Sequence, residues 1–321
     1  MTGTSELKPL PKRDHGGNLS AAAAQYGGAL DQWMDLSTGI NPTPYPVGTI
    51  TAADWGALPD DAARQDLIEA ARDFWSVPAS AAILPAPGAS ALIAAIPALA
   101  EPRWVEITTP TYNEHAAAFT NHNWQITARG PAEARVLVHP NNPDGRLWSA
   151  HDAAFSPLVI IDESFCDVCP DQSLIEMARR PGVIVLKSFG KFWGLAGLRL
   201  GFAIGDPALI EELGRMQGPW AVSGPGLRIG TRALRDKTWA NETRRSLHAA
   251  AQRLDQLMTA HKADLVGGTD LFRLYEVDNA EDWQKRLAHS QIWSRIFPYS
   301  KTLLRLGLPA DQDWERLENA L

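Results

Sequence analysis

Short hydrophobic runs alternate with helical stretches through the middle of the chain. The runs are rich in aliphatic and β-branched residues and lie at 104–107, 134–138, 158–161, 183–186 and 200–203. Apolar strands separated by helices are typical of a sheet that helices cover on both faces. The pattern therefore predicts an α/β fold with a mostly parallel sheet in a large domain.

The C-terminal part of the chain has a different pattern, with one long helical stretch followed by strand-like runs. A helix is predicted over about 237–261, strands over 271–277, 292–297 and 302–308, and a terminal helix after them. These elements predict a smaller α+β lobe. We therefore divide the sequence into an N-terminal segment at 1–50, a large domain at 51–229 and a small C-terminal domain at 230–321.

Composition and charge exclude several classes of protein. The chain has 321 residues, 45% of them hydrophobic, which is enough to bury a large core. Its net charge is −7 and its Lys and Arg residues are dispersed, which argues against nucleic-acid binding. Residues 1–14 lack the apolar core of a signal peptide, and the longest apolar run, 89–100, is too short to span a bilayer. We expect no membrane association and a cytoplasmic location.

Polar groups follow the hydrophobic runs, at the places where parallel strands end. In an open α/β sheet, ligands bind at the carboxyl ends of the strands, so these groups are expected to converge. A further segment, 87–90, opens an apolar helical run whose free N–H groups suit an anion. The groups that follow the runs contain Tyr112, Asn142, Asp162, and Ser188 to Lys191 with Arg199 after them.

Lys191 is the most informative of these residues, because it follows a hydrophobic run within five residues. Burial and a nearby cation disfavour the charged amine, lower its pKa and make it able to form a Schiff base with a carbonyl group. Ser188 and Arg199 then offer a hydroxyl and a cation to a phosphate. A surface lysine at a strand end is the alternative that this segment alone leaves open.

The groups at the strand ends together describe one ligand, a planar phosphorylated heterocycle that bears an aldehyde. Asp162 is expected to keep a ring nitrogen protonated, Asn142 to hydrogen-bond a ring hydroxyl and Tyr112 to stack on the ring. Taken one at a time, Asp162 could be a helix cap, Asn142 part of a turn and Tyr112 a core residue. Their occurrence together, in this order, favours the ligand.

In this order the residues resemble the class I and II aminotransferase family of fold-type I enzymes. The residues that carry the resemblance are Gly88, Ala89, Ser90, Tyr112, Asn142, Asp162, Ser188, Lys191, Arg199 and Arg305. The resemblance implies pyridoxal 5'-phosphate as the cofactor, a Schiff base on Lys191, a homodimer, and catalytic roles for Asp162 and Tyr112. It also implies that Arg305 binds a substrate carboxylate, and that the cofactor phosphate is bound by Ala89, Ser90, Ser188 and Arg199.

The N-terminal segment narrows the resemblance to one branch of the family. The stretches 15–18, with His15, and 35–44, with Gly39 and Asn41, are similar to the opening of threonine-phosphate decarboxylases of cobalamin biosynthesis, which are relatives of histidinol-phosphate aminotransferase. The implied substrate is a small phosphorylated amino acid that His15, Gly39, Asn41 and Arg305 contact. The implied reaction turns L-threonine O-3-phosphate into (R)-1-amino-2-propanol O-2-phosphate. An aminotransferase of a phosphorylated substrate such as histidinol phosphate and an inert cofactor-binding protein remain open.

Several positions depart from the family pattern or lie outside it. Gly190 replaces the Ser or Thr usual before the lysine, and Phe165 stands where many relatives have a tyrosine. Leu58 stands where many relatives have a tyrosine that reaches the cofactor phosphate of the other subunit. Cys166 and Cys169 form a lone C-x-x-C without a second Cys pair or a nearby His pair, which predicts two reduced thiols and no metal site.

Overall fold

A computed structural model describes residues 14–154 and 156–321 of the chain. The polar start and the first part of the predicted N-terminal segment, residues 1–13, lie outside the described residues. The strands are β1 Met34–Asp35, β2 Ala82–Ala86, β3 Trp104–Ile107, β4 Gln125–Thr127, β5 Ala134–Val138, β6 Leu158–Asp162, β7 Val183–Ser188, β8 Gly201–Gly205, β9 Asp264–Thr269, β10 Phe272–Glu276, β11 Ile292–Trp293, β12 Arg295–Phe297 and β13 Ser300–Gly307. The helices are α1 Leu19–Tyr26, α2 Ala52–Gly56, α3 Asp61–Phe74, α4 Ala89–Ala95, α5 Asn113–Asn121, α6 Pro207–Gln217, α7 Gly224–Arg235, α8 Lys237–Ala260, α9 Ala280–His289 and α10 Trp314–Ala320.

A large sheet has the strand order β2-β8-β7-β6-β5-β3-β4. From β7 to β4 the neighbours run parallel, whereas β8 is antiparallel to both β7 and β2. The predicted mostly parallel α/β sheet is therefore confirmed, and each of the five predicted runs forms a strand with small changes at its ends. The sequence pattern did not indicate β2, which contains Pro85, or β4, which is three residues long.

Alternate residues of the central strands enter two different cores, one on each face of the sheet. In β6, Leu158 and Ile160 pack with residues of α4 and α5, whereas Val159 and Ile161 pack in the other core. Because successive side chains of a strand point to opposite faces, this alternation continues past the end of the apolar run. It sends Asp162 and Glu163 to opposite sides of the sheet.

A four-stranded antiparallel sheet, in the order β12-β13-β10-β9, lies in the C-terminal part of the chain. The single strand predicted at 292–297 is wrong, because the segment divides at Ser294: β11 pairs with β1 near the N-terminus, while β12 pairs with β13. The division into domains at residues 50 and 229 stays a prediction. Among the described residues, no helix is long and apolar enough to cross a bilayer, and the cytoplasmic location also stays a prediction.

The strand directions bring the predicted site residues to one edge of the large sheet. β2, β5, β6 and β7 all end at this edge, so the residues that follow them lie there. Because β8 runs in the opposite direction, its start lies at this same edge. Arg199, which precedes β8, is therefore placed with residues that follow the parallel strands.

Candidate active site

Two adjoining cavities open at this edge of the large sheet. The inner cavity is lined by Ala89, Ser90, Asp162, Ser188 and Arg199, among others. The outer cavity is lined by Asp14, His15, Arg295, Tyr299 and Arg305, among others. Tyr112, Asn142, Phe165 and Lys191 line both. The two cavities therefore meet at Lys191.

The Lys191 amine lies at the junction of the two cavities, 5.1 Å from the centre of the Phe165 ring. Burial, followed by the nearby Arg305 cation, lowers the pKa of Lys191 to about 8, against the opposing charge of Asp162. The carbonyl oxygen of Lys191 accepts hydrogen bonds of 3.0 Å from the N–H groups of Asn41 and Gly194, which fix the turn. The neutral form of this amine, which a nucleophile requires, is therefore far more populated near physiological pH than in an ordinary lysine.

Lys187 is buried within β7, four residues before Lys191, and has the opposite character. Its amine lies 2.5 Å from Glu163 and 3.8 Å from Asp167. Although burial lowers the pKa of Lys187, these two carboxylates more than compensate and raise it above its usual value. Lys187 is therefore a charged structural residue. Of the two lysines, Lys191 is the candidate for the reactive amine.

Asp162 faces the inner cavity and is held from two sides. One carboxylate oxygen lies 2.9 Å from Nε2 of the buried His115, and the other accepts the N–H of Ser164 at 3.0 Å and its hydroxyl at 2.6 Å. Burial alone raises the pKa of Asp162, but His115 and Ser164 together bring it below its usual value. Asp162 is therefore ionised. His115 was not predicted from the sequence, although its position one helical turn after Tyr112 was a usable signal.

The start of α4 and the segment before β8 meet at one end of the inner cavity. Gly88 has a φ of +86°, and a Cβ there would lie 2.5 Å from the Arg199 guanidinium. A Cβ at Gly201 would lie 2.4 Å from the backbone nitrogen of Ala89. The first N–H groups of a helix have no acceptor within the helix. Ala89, Ser90, Ser188 and Arg199 thus line one end of the cavity with groups that suit a phosphate.

Arg305 lies buried in the wall of the outer cavity. Its guanidinium donates to the Asn142 side-chain oxygen and, at 2.6 Å, to the Ser37 carbonyl. Both partners are neutral. Burial, followed by the charge of Arg295, lowers the pKa of Arg305 to about 10. In this structure Asn142 thus contacts Arg305, and it also lines the inner cavity.

A second arginine of the outer cavity was not predicted from the sequence. Arg295 on β12 is the direct register partner of Arg305 on β13. Like charges directly opposite each other on a strand pair are destabilising, so the pair favours an anion between or beside them. Arg295 binds Asp14 through both nitrogens, and His15 lies 2.7 Å from Glu114. The register that pairs the two arginines arises from a shift in pairing between Ile296 and Phe297, beyond the turn at Pro298 and Tyr299, and the hydrophobic pattern does not reveal it.

Two predicted substrate residues do not line either cavity. The Asn41 side chain is buried and donates to the Phe192 carbonyl at 2.9 Å, while its oxygen accepts the N–H of Thr43 at 2.9 Å. Asn41 thus stabilises the turn after Lys191. At Gly39, a Cβ would lie 2.9 Å from ring atoms of Phe165 and of Phe272. The structure therefore brings His15 and Arg305 together, but it leaves Gly39 and Asn41 behind the cavity wall.

Below the site, His139, Glu163 and Cys166 place possible metal-ligand atoms close together. The side chains of His139 and Glu163 are already hydrogen-bonded to protein groups. His139 accepts the Trp148 N–H at 3.0 Å and lies 2.7 Å from the Gln172 carbonyl. One oxygen of Glu163 accepts from the Lys187 amine and the Ser173 hydroxyl, and the other accepts from the Leu174 N–H. Cys166 and Cys169 are free thiols. These residues thus form a hydrogen-bonded support beneath Asp162.

The fold and the two cavities define a class of protein: an α/β enzyme that can hold a phosphorylated carbonyl compound between a reactive lysine and a buried carboxylate. The family model Aminotransferase class I and II matches residues 129–321. The chain is 37% identical to threonine-phosphate decarboxylase of Pseudomonas aeruginosa, over 96% of this chain and 97% of that protein. It is 36% identical to threonine-phosphate decarboxylase of a Sinorhizobium species, over 94% and 95%. The chain belongs to the class I and II aminotransferase family, and its cofactor is pyridoxal 5'-phosphate.

A solved structure supports the same fold. Histidinol-phosphate aminotransferase of Sinorhizobium meliloti, determined in complex with pyridoxal 5'-phosphate, superposes with a TM-score of 0.84 at 20% identity and covers 100% of this chain and 97% of that one. The residues of the inner cavity fit the cofactor. An amine of lowered pKa, an ionised carboxylate and a cavity end lined by hydroxyls and an arginine suit its carbonyl, ring nitrogen and phosphate groups.

Proposed function

We propose that this protein decarboxylates L-threonine O-3-phosphate to (R)-1-amino-2-propanol O-2-phosphate, a step of cobalamin biosynthesis. The observation that carries the proposal is the pair Arg295 and Arg305, opposite each other in a cavity that reaches Lys191. The relatives at 36–37% identity that are named threonine-phosphate decarboxylase support it. A substrate with a carboxylate and a phosphate has two anions for these two arginines.

The inner cavity holds the cofactor in this proposal. When bound, pyridoxal 5'-phosphate supplies an electron sink for the bond that breaks at the substrate Cα. Lys191 would hold the carbonyl carbon of the cofactor, Asp162 would keep its ring nitrogen protonated, and Tyr112 would stack on its ring. Asn142 bonds the ring hydroxyl. The backbone after Gly88 presents the N–H groups, and the residues proposed to hold the phosphate are Ala89, Ser90, Ser188 and Arg199.

The outer cavity orients the substrate in this proposal. Arg305 binds the α-carboxylate, and Arg295 with His15 binds the phosphate. With both ends held, the bond from Cα to the carboxylate is turned so that it breaks, carbon dioxide leaves, and Cα takes up one proton. Once the substrate amine has replaced it on the cofactor, the Lys191 amine is free at the junction of the cavities and would be the group that delivers that proton.

A direct assay tests the proposal. The purified protein, loaded with pyridoxal 5'-phosphate, is incubated with L-threonine O-3-phosphate without any keto acid, and carbon dioxide and the amino alcohol phosphate are measured. We expect both products in equal amounts. Unphosphorylated threonine is the matched control and should be a poor substrate, with catalytic efficiency reduced about tenfold to a hundredfold by the lost charge-assisted contacts. A requirement for 2-oxoglutarate would instead identify an aminotransferase.

We further propose that the protein is a homodimer that associates through the surface around α2. Trp55, Leu58 and Trp220 are 71%, 67% and 59% exposed, and a contiguous patch of exposed apolar side chains marks an interaction surface. They lie near one another, because α2 packs on the start of α7 through Asp54 and Arg228, and Pro59 and Trp220 line one groove. A second copy of this chain is the partner that the homodimer requires.

The dimer is tested by light scattering after size exclusion. We expect the mass of a dimer for the parent protein and the mass of a monomer for the double variant Trp55→Ser, Trp220→Ser. Trp104→Ser is the matched control, since Trp104 is 46% exposed on β3 in the large sheet. A dimer that survives in the double variant would contradict the proposed surface.

A further inference from the structure

We propose that the Asp14 carboxylate occupies the anion subsite at Arg295 in the substrate-free enzyme, and that a phosphate must displace it to bind. The inference rests on the proposed function, because it takes the outer cavity as the substrate site. It assigns Asp14 the role of a built-in competitor. Asp14 thereby sets how tightly an anion must bind Arg295 in order to enter the subsite.

The contact between Asp14 and Arg295 has the geometry that a phosphate would use. The two guanidinium nitrogens lie 2.5 and 2.7 Å from the two carboxylate oxygens, a bidentate arrangement. A guanidinium fork binds carboxylate and phosphate in the same way. While Asp14 holds the fork, a second anion cannot take both nitrogens.

Exposure indicates which partner moves. The Arg295 side chain is 13% exposed and fixed in β12, whereas the Asp14 side chain is 43% exposed at the mouth of the cavity. A half-exposed carboxylate regains most of its hydration when it leaves, so the cost of displacement is modest. The guanidinium stays in place for the incoming anion.

The backbone at Asp14 has one contact that does not involve Arg295. The Asp14 carbonyl oxygen accepts from the Asn113 side chain at 2.9 Å, and also from Arg295 at 3.1 Å. An incoming anion competes for the Arg295 nitrogen, but the Asn113 contact keeps the Asp14 backbone in place after the carboxylate has left. His15, the next residue, has its own partner in Glu114. Displacement therefore requires a side-chain rotation and not the loss of the whole segment.

A comparison with Arg305 shows how the Asp14 carboxylate changes anion binding at Arg295. The partners of Arg305, the Asn142 and Ser37 oxygens, are neutral, so Arg305 can accept an anion without displacing another one. The subsite at Arg295 can accept an anion only by displacing the Asp14 carboxylate. A ligand whose only anion is a carboxylate therefore binds Arg305. A ligand that also carries a phosphate binds Arg295 as well. Competition with Asp14 multiplies the apparent dissociation constant by the reciprocal of the fraction of subsites that are open.

The test uses the enzyme loaded with pyridoxal 5'-phosphate and compares the parent protein with Asp14→Asn. The variant keeps the shape and the backbone contacts but removes the negative charge. We expect inorganic phosphate, measured by titration calorimetry, to bind about fivefold more tightly to the variant, and the KM for threonine phosphate to fall in parallel while kcat stays the same. Asp14→Ala should tighten phosphate binding in the same direction.

Asp270→Asn is the matched control, because it removes a carboxylate of an exposed pair with His248 outside both cavities. It should leave phosphate binding unchanged. Weaker or unchanged phosphate binding in both Asp14 variants would overturn the inference, since the carboxylate would then not compete. Tighter phosphate binding without decarboxylation of threonine phosphate by the parent enzyme would leave the competitor role standing and reject the proposed function.

Discussion

At the scale of single residues, the contrast between Lys187 and Lys191 leads to a prediction about pH. The neutral amine is the reactive form, and the Lys191 pKa is lowered to about 8, so its neutral fraction rises as the pH increases through 8. We expect the rate at which the cofactor-free protein takes up pyridoxal 5'-phosphate to rise with pH, with a midpoint at about pH 8, and to level off at higher pH. Stopped-flow absorbance measures this rate.

Two variants check the assignment. Arg305 lowers the Lys191 pKa, so Arg305→Gln should move the midpoint of this profile to higher pH. Borohydride reduction followed by peptide mapping should label Lys191 in the parent protein and no lysine of this segment in Lys191→Ala. A label on Lys187 would contradict the assignment, because the pKa of that amine is raised by Glu163 and Asp167.

A second prediction at this scale concerns Asp162. His115 and Ser164 lower its pKa, so the carboxylate stays charged down to acidic pH and can keep the cofactor nitrogen protonated. Asp162→Asn should bind the cofactor but lose turnover on the order of a hundredfold or more, by analogy with the loss of a single preorganised polar group in other active sites. Steady-state kinetics and the bound-cofactor absorbance measure the two effects separately. Near-normal turnover would reject the role.

The same residues show what a sequence can and cannot reveal about a site. Lys191 and Asp162 were predictable because each follows an apolar strand, where a charged residue is costly without a purpose. Arg295 was not, because its importance depends on its register opposite Arg305. Asn41 was assigned to the substrate from a motif, but its side-chain amide donates to the Phe192 carbonyl and accepts from the Thr43 N–H. A motif gives a residue's neighbourhood and not the direction of its side chain.

At the scale of elements, the phosphate end of the inner cavity depends on how closely α4 approaches β8. A Cβ at Gly201 would lie 2.4 Å from the Ala89 nitrogen and 2.8 Å from the Gly88 carbonyl carbon, and both are backbone atoms that cannot move aside separately. We expect Gly201→Ala to push α4 away from Arg199 and to weaken cofactor binding at least about tenfold, measured by fluorescence titration.

Gly197→Ala is the matched control for this prediction. Gly197 lies four residues before Gly201, its φ is not positive, and a Cβ there meets no atom within 4 Å. The control should bind the cofactor as the parent protein does. Equal affinities in the two variants would show that the close approach of α4 to β8 does not shape the phosphate end.

Element prediction from the sequence succeeded where the hydrophobic pattern was continuous. The central strands are buried on both faces and therefore form uninterrupted apolar runs. It failed where pairing alone decides the structure: β11 and β12 are adjacent in sequence but belong to different sheets, because one pairs with β1 and the other with β13. No local pattern contains the identity of a distant partner strand.

At the scale of the whole molecule, the site depends on contact between the large sheet and the C-terminal sheet. Asn142, on a turn after β5, contacts Arg305 on β13. The same turn meets β9, where the Gly268 N–H donates to the Asp144 carbonyl at 2.9 Å. Gly145 has a φ of +73°, and a Cβ there would lie 1.9 Å from the Gly268 carbonyl oxygen. The two sheets can meet this closely only with glycine at this position.

We therefore expect Gly145→Ala to separate the two sheets and to pull Asn142 from Arg305. The variant should lose about 2–4 kcal/mol of stability, from strain together with overlap, and raise the KM for the substrate. Gly27→Ala is the matched control: Gly27 has a φ of +84°, but a Cβ there meets no atom within 4 Å. It should lose stability through strain alone and keep its KM, which denaturant unfolding and steady-state kinetics measure. If both variants kept the parent KM, the contact at Gly145 would not be what aligns Arg305 with the site.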